Sequence, residues 1–174
     1  MKKKLAVIIA TWFYSGLIPP IILKGMAGTY GSFFSIPFVW AVLYLTNYSS
    51  PGVYFVVLWL MYFVGIWSVP IAEHALGPRT DWKGKIKTRD QNQIVIDEMV
   101  GMLFTCAFLS PTHPSIWLLL LIGFGFFRLF DITKPWPTKY FDRMETPEGV
   151  MQDDVIAGIY AYICLQITIW FFNL

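Results

Sequence analysis

The chain has 174 residues, of which 56% are hydrophobic, 18% aromatic and only 14% charged. A soluble domain carries roughly 25% charged residues, so this composition excludes a disordered chain, a nucleic-acid-binding module and a free cytosolic enzyme. A net charge of +2 does not indicate a polyanionic partner. Cys106 and Cys164 lie in apolar runs with neither a metal-ligand spacing nor a disulfide framework. We therefore expect one membrane-embedded domain over residues 1–174.

The first apolar run, residues 5–23, follows three lysines at positions 2–4. The Pro19-Pro20 pair breaks this run, because proline interrupts the hydrogen bonding of a helix. We therefore predict an interfacial or re-entrant helix here rather than a membrane span. A secretory signal peptide is the alternative, since it also places lysines before an apolar run, but the run has no convincing small-residue cleavage site.

The rest of the chain alternates between uncharged and charged segments. Lys, Arg, Asp and Glu are absent from residues 25–72, 99–127 and 155–174. Ten of them fall in each of two segments, residues 73–98 and 128–154. A helical span needs about 20 apolar residues, and turn sequences at residues 47–52 and 110–114 divide the two longer blocks. The pattern predicts an all-α, polytopic membrane bundle of about five spans, at residues 33–46, 53–72, 94–109, 115–132 and 155–172.

Each predicted hairpin returns the chain to the membrane face that it left, so both charged segments lie at one face. The first segment contains five basic residues, and the N-terminal lysines add to them. The positive-inside rule then indicates that this face is cytoplasmic. The basic run from Lys83 to Arg89 is expected to contact anionic lipid headgroups.

Acidic residues lie at or near the ends of the predicted spans, where an ionised group is costly unless it is paired, hydrated or bound to a cation. The candidates are Glu73, Asp90, Asp97, Glu98, Asp131 and the more inward member of the Asp153-Asp154 pair, and all except Asp90 lie at or next to the edge of an apolar span. Because these carboxylates have no equal supply of nearby bases, the pattern favours a hard, oxygen-binding cation such as Mg²⁺. Four simpler roles stay open: complementing a helix dipole, capping the last helix, pairing of Asp131 with Arg128, and, for Glu73, marking the water boundary.

Two further features are candidate anion sites. Arg128 and Lys134 flank Asp131, and two cations beside an acid can grip a phosphate. A lysine at a membrane edge also extends towards water without binding anything. Three glycines between residues 25 and 31 precede a predicted helix, where backbone amides can face an anion. An ordinary loop is the preferred interpretation of these glycines.

Four segments together resemble the phosphatidylglycerophosphatase A family. They are Gly28–Ser32 (GTYGS) with Ile36-Pro37, Asp90 with Ile94–Gly101 (IVIDEMVG), Phe127–Pro137 (FRLFDITKPWP) and Gly149–Gly158 (GVMQDDVIAG). They occur in the order typical of the family and cover most of the chain. The chain departs from the family pattern in a longer, basic stretch at about residues 77–89 and in Tyr30.

The resemblance implies a mostly helical, Mg²⁺-dependent phosphatase at the cytoplasmic face of the bacterial inner membrane. Such an enzyme hydrolyses the terminal phosphate of phosphatidylglycerophosphate, within the lipid bilayer, to give phosphatidylglycerol. The expected Mg²⁺ ligands are Asp97, Glu98, Asp131 and Asp154, with Glu73 and Asp153 as outer candidates. The residues expected to bind the substrate are Thr29, Gly31, Ser32, Arg128 and Lys134. The expected catalytic set is Asp97, Asp131, Arg128 and Lys134, with Asp90 as a base or proton shuttle.

The residues leave the chemistry partly open. Attack by metal-activated water is the expected mechanism, but the sequence does not distinguish it from a phospho-aspartyl intermediate, in which one acid attacks directly. A transporter or ion channel also places acids among membrane helices, but usually near the midplane, whereas these acids gather at span ends. Phosphotransferases that use cytidine-diphosphate lipids carry a long aspartate-rich signature on a single helix, which this chain lacks.

Overall fold

A computed structural model describes residues 1–17, 26–47, 51–80, 86–88, 91–144 and 146–174. The helices are α1 (Lys2–Ala10), α2 (Ala27–Asn47), α3 (Pro51–Leu76), α4 (Ile96–Thr105), α5 (Ile116–Thr133), α6 (Thr138–Asp142) and α7 (Pro147–Phe172). Two short strands, β1 (Arg79–Thr80) and β2 (Ile86–Lys87), pair antiparallel between α3 and α4.

Four of the described helices are long and apolar enough to cross a membrane. They are Ala27–Thr46, Gly52–Leu76, Ile116–Thr133 and Pro147–Phe172. The chain is therefore a membrane protein, and the predicted all-α bundle is confirmed.

One predicted span differs from the structure. Residues 94–109 form a span in the prediction, but α4 has only ten residues and so rises about 15 Å, half the thickness of a bilayer core. Nearly all of α4 is buried against neighbouring helices. Protein therefore supplies what lipid cannot: the Tyr54 hydroxyl of α3 donates to the Leu103 carbonyl oxygen near the end of α4, at 2.6 Å.

The described part of the N-terminal segment is too short to cross a membrane. Helix α1 has nine residues, and residues 12–14 after it all have positive φ, between 45° and 67°. This turn stops the helix, and the Ala10 carbonyl at its end accepts a hydrogen bond from the Val95 N–H (2.9 Å). The N-terminal segment thus reaches the start of α4. The Pro19-Pro20 pair lies outside the described residues.

Small residues allow α4 and α7 to approach closely, as is common between membrane helices. A Cβ added to Gly158 would lie 2.5 Å from the Gly101 carbonyl oxygen, and the Thr105 hydroxyl donates to that same oxygen at 2.9 Å. Both helices run in the same direction. One turn before this contact, the chain carries Asp97 on α4 and Asp154 on α7, so the packing brings two acids together.

We expect Gly158→Ala to destabilise the bundle, because the new methyl group overlaps a backbone carbonyl that cannot rotate away. Overpacking of this kind costs about 1–3 kcal/mol. The measurement is the thermal unfolding midpoint in detergent micelles. Gly125→Ala on α5 is the matched control, since outside its own stretch of helix no atom of the described residues lies within 4 Å of its new Cβ. Equal losses in the two variants would contradict the packing argument.

Candidate active site

Three carboxylates meet where the first turn of α4 approaches the second turn of α7. One oxygen from each of Asp97, Glu98 and Asp154 lies within 4.8 Å of the other two. Asp97 and Asp154 are only 8% and 4% exposed. The Asp97 carboxylate also accepts a hydrogen bond from the Glu98 N–H (3.0 Å), which holds its orientation. We refer to these three residues as the acidic cluster.

Arg128 lies beside the acidic cluster, near the end of α5. Its Nη1 pairs with Oδ2 of Asp131, one turn later, at 2.6 Å. The same nitrogen donates to the Ser32 hydroxyl of α2 at 3.4 Å. The backbone of Gly28 packs so closely on the Glu98 carboxylate and on Arg128 that any side chain at this position would collide with them. The start of α2 therefore supports both charged groups.

The glycine segment is helical rather than a loop, which corrects the preferred interpretation of the sequence. Helix α2 begins at Ala27, six residues before the predicted span. Gly28 and Gly31 lie on one face of it, and Gly31 packs directly on the Val95 side chain. Each glycine costs a helix about 1 kcal/mol, and this packing offsets the cost. Thr29 is half-buried in the same turn, whereas Gly25 lies outside the described residues.

Lys134 ends α5 in a left-handed conformation, with φ 45° and ψ 60°. Its ammonium contacts Oδ2 of Asp153 at 2.6 Å and Oδ1 of Asp142 at 2.5 Å. Burial lowers the pKa of Lys134, but the charges of Asp153 and Asp154 outweigh this effect and hold the pKa above the usual lysine value. Lys134 is therefore protonated at neutral pH, beside the acidic cluster.

Negative charge dominates the immediate surroundings of the acidic cluster. Burial raises the pKa of Asp97, and the adjacent Glu98 carboxylate raises it further. Burial also raises the pKa of Glu98, although Asp97 and the Arg128 guanidinium oppose the rise. Carboxylates crowded in this way are costly to bury unless a cation or bound protons compensate them.

The acidic cluster has the ligand chemistry of a divalent-cation site. Oε2 of Glu98 is buried and has no hydrogen-bond partner among the described residues, so it can accept a cation. Oxygen ligands on opposite sides of Mg²⁺ are about 4 Å apart, close to the 4.8 Å within which the three oxygens lie. The group contains neither histidine nor cysteine, which favours a hard cation over zinc.

The structure separates the predicted metal ligands into two sets. It brings Asp97, Glu98 and Asp154 together, whereas Asp131 and Asp153 lie beside them and contact Arg128 and Lys134 instead. Glu73, the remaining predicted ligand, is not in this group. Glu73 is buried in the last turn of α3, and Asp90, the predicted base, lies outside the described residues.

Asp142 is a neighbour of the site that sequence reasoning did not identify. It lies at the end of α6, among exposed polar residues, and reaches Lys134 across eight positions of the chain. No periodicity connects the two, because the intervening Pro135-Trp136-Pro137 segment is neither helix nor strand. Only the return of the chain through α6 brings Asp142 to the ammonium.

Comparisons with known proteins identify the family of the chain. The family model for phosphatidylglycerophosphatase A matches residues 8–169. A protein from Bacteroides thetaiotaomicron, provisionally named a phosphatidylinositol-3-phosphatase, is 30% identical over 174 residues, which cover 95% of this chain and 94% of the relative. Phosphatidylglycerophosphatase A of Escherichia coli K12 is 33% identical over 153 residues, 87% of this chain and 76% of the relative.

A phosphatidylglycerophosphatase A from Haemophilus influenzae is 46% identical over 76 residues, which cover 42% of this chain and 44% of that protein. No solved structure matches the chain. The family match includes the acidic cluster, Arg128 and Lys134, and it extends over most of the chain. The chain therefore belongs to the phosphatidylglycerophosphatase A family of membrane lipid phosphatases, which dephosphorylate phosphatidylglycerophosphate in phospholipid biosynthesis.

Proposed function

We propose that this chain hydrolyses the terminal phosphate of phosphatidylglycerophosphate with Mg²⁺ held by Asp97, Glu98 and Asp154, and with water as the nucleophile. The observation that carries the proposal is the buried acidic cluster with Arg128 and Lys134 beside it. Acids that hold a cation and bases that bind an anion are the two components that phosphoryl transfer requires.

Mg²⁺, when bound, supplies positive charge that draws electron density from the phosphoryl oxygens and favours deprotonation of the attacking water. Asp97, Glu98 and Asp154 hold it at the point where α4 and α7 meet. Asp131 and Asp153 have a different role in this proposal, because their carboxylates orient Arg128 and Lys134.

Arg128 and Lys134 bind the phosphate and stabilise the charge that moves to the leaving oxygen. Nε of Arg128 is buried and has no hydrogen-bond partner among the described residues, so this donor is available for a phosphoryl oxygen. An ammonium has three N–H donors, and Lys134 directs two of them at Asp142 and Asp153. Ser32, which accepts from Arg128, is placed to orient the guanidinium.

A phospho-aspartyl route is the competing mechanism, in which a carboxylate of the site attacks phosphorus. Hydroxylamine trapping of an acyl phosphate during turnover distinguishes the two routes. Water attack predicts no trapped adduct. Asp90 keeps its predicted role as the base or proton shuttle in the water route.

We infer that the site faces the cytoplasm from the bacterial inner membrane. The charged segments at the site's end of the bundle contain most of the basic residues of the chain, as the positive-inside rule requires. Trp136 and Tyr140, which follow Lys134 in the chain, are 82% and 61% exposed, which suits the aromatic belt of a membrane interface. A lipid substrate can then keep its acyl chains in the bilayer while its phosphate lies at headgroup depth.

A second substrate is favoured by one observation. The Bacteroides relative matches almost the full length of both chains and is named for phosphatidylinositol 3-phosphate. Both lipids carry a headgroup phosphomonoester, so the same cation and the same two bases serve either one. The choice between them depends on the rest of the headgroup.

We expect the purified protein to release phosphate from phosphatidylglycerophosphate vesicles in the presence of Mg²⁺, and to release none in excess chelator. The assay compares this lipid with phosphatidylinositol 3-phosphate, each with Mg²⁺, with chelator and after Mg²⁺ is restored. An Asp97→Asn preparation controls for contaminating phosphatases. Full activity in excess chelator would contradict the cation proposal. Faster phosphate release from the inositol lipid would make that lipid the preferred substrate.

A further inference from the structure

We propose that Asp142 is a positioning residue: it holds the Lys134 ammonium at the outer edge of the site, where a phosphomonoester arrives. This inference rests on the proposed function and deepens it, because it assigns a residue outside the acidic cluster to phosphate binding. It also predicts a specific partner for Asp142, namely Lys134 and no other group of the site.

The contacts place Lys134 between two acids from different helices. Its Nζ lies 2.5 Å from Oδ1 of Asp142 on α6 and 2.6 Å from Oδ2 of Asp153 on α7. The two acid side chains differ in exposure, at 36% for Asp142 and 9% for Asp153. Asp142 therefore holds the ammonium from the solvent side, and Asp153 holds it from the buried side.

The charges explain why an outer partner is needed. Asp153 and Asp154 both attract Lys134 towards the interior, and a lysine side chain is long and flexible. Without Asp142, we expect the ammonium to move inward against these two acids. The third N–H of Lys134 would then point away from the edge at which the phosphate enters.

Asp142 could also act simply by repelling the substrate, and this effect would change KM in the opposite direction. Its negative charge repels a phosphate dianion, so removal of Asp142 by itself would tighten phosphate binding. The direction of the change in KM therefore decides between a positioning role and mere repulsion.

The test compares Asp142→Ala, Lys134→Met and the double variant in the full-length protein at saturating Mg²⁺. We expect Asp142→Ala to raise KM for phosphatidylglycerophosphate about tenfold, since a misplacement of about 1 Å can cost up to roughly a hundredfold, while kcat changes less. We expect Lys134→Met to lose more activity, and the double variant to match Lys134→Met alone, because Asp142 acts through the lysine. Glu148→Ala is the matched control, since Glu148 is an exposed acid in the first turn of α7, and it should behave like the wild type.

Binding of inorganic phosphate, measured by calorimetry with Mg²⁺ present, gives a readout independent of turnover. We expect its affinity to fall in Asp142→Ala by a similar factor. An unchanged or lower KM in Asp142→Ala, or additive losses in the double variant, would overturn the inference. If Asp142→Ala does not fold, Asp142→Asn replaces it, and a smaller rise in KM is then expected because the amide oxygen still accepts from Lys134. A wild-type protein that hydrolyses no lipid would overturn the proposed function, while the phosphate affinities would still decide the role of Asp142.

Discussion

Asp97→Asn is expected to lower kcat for phosphatidylglycerophosphate by about a thousandfold, because loss of cation binding removes several kcal/mol of transition-state stabilisation. The fold should survive the change. Asparagine keeps the oxygen that accepts the hydrogen bond from the Glu98 N–H, and only the charge is lost. Phosphate release and far-ultraviolet circular dichroism on the same preparation measure the two effects.

The stability of Asp97→Asn provides a second check, independent of turnover. Removal of one charge from a crowded, buried cluster relieves repulsion, so the unfolding midpoint in chelator should equal or exceed that of the wild type. Mg²⁺ should raise the midpoint of the wild type more than that of the variant, since a ligand of the native state stabilises it by mass action. Equal Mg²⁺ stabilisation of both proteins, or near-normal activity of the variant, would contradict a cation site at Asp97.

Arg128→Lys is expected to lower kcat/KM by about a hundredfold, although the charge is kept, because loss of one preorganised donor to the transition state has an effect of this size. The guanidinium reaches Asp131 and Ser32 from one nitrogen and leaves Nε without a partner among the described residues. A lysine ammonium is a single point charge and cannot reproduce this arrangement of N–H donors on different nitrogens. The measurement is steady-state phosphate release from lipid vesicles.

The matched control for Arg128→Lys is Arg143→Lys, at the exposed end of α6. It makes the same chemical change in a basic residue outside the site, and its kcat/KM should remain at the wild-type value. Near-normal activity of Arg128→Lys would show that positive charge alone is sufficient at this position.

The membrane bundle could be predicted because uncharged blocks of sufficient length have few alternatives to a bilayer. The length of α4 could not be predicted in the same way. Residues 99–109 are as apolar as a lipid-exposed segment, and hydropathy does not distinguish lipid from protein surroundings. The structure shows that neighbouring helices bury α4, so protein groups such as the Tyr54 hydroxyl satisfy its backbone where lipid could not.

The start of α2 shows a similar limit of local reasoning. Glycine has low helix propensity, so Gly28 and Gly31 favour a loop when they are considered alone. In the folded chain their lack of a side chain is what allows Glu98 and Val95 to approach α2. A favourable tertiary contact therefore outweighs the local preference.

The contacts of the candidate site could likewise be predicted only where they depend on local spacing. The Arg128–Asp131 pair follows from spacing, because residues three apart on a helix are neighbours, and the sequence alone predicts it as one alternative. The charge pattern and the family resemblance also identified the acids and bases of a lipid phosphatase. Spacing did not show which acids meet a base and which meet one another.

The sequence by itself determined that this protein is an α-helical membrane enzyme and which charged residues lie near the water boundary. This is because hydropathy, helix spacing and motifs are properties of short segments. The tertiary structure alone decided that Asp97, Glu98 and Asp154 form the acidic cluster and that Asp142 meets Lys134. The acidic cluster depends on how closely the helices pack, and the glycines at positions 28, 101 and 158 allow that close approach. The contact between Asp142 and Lys134 depends on the return of the chain through α6.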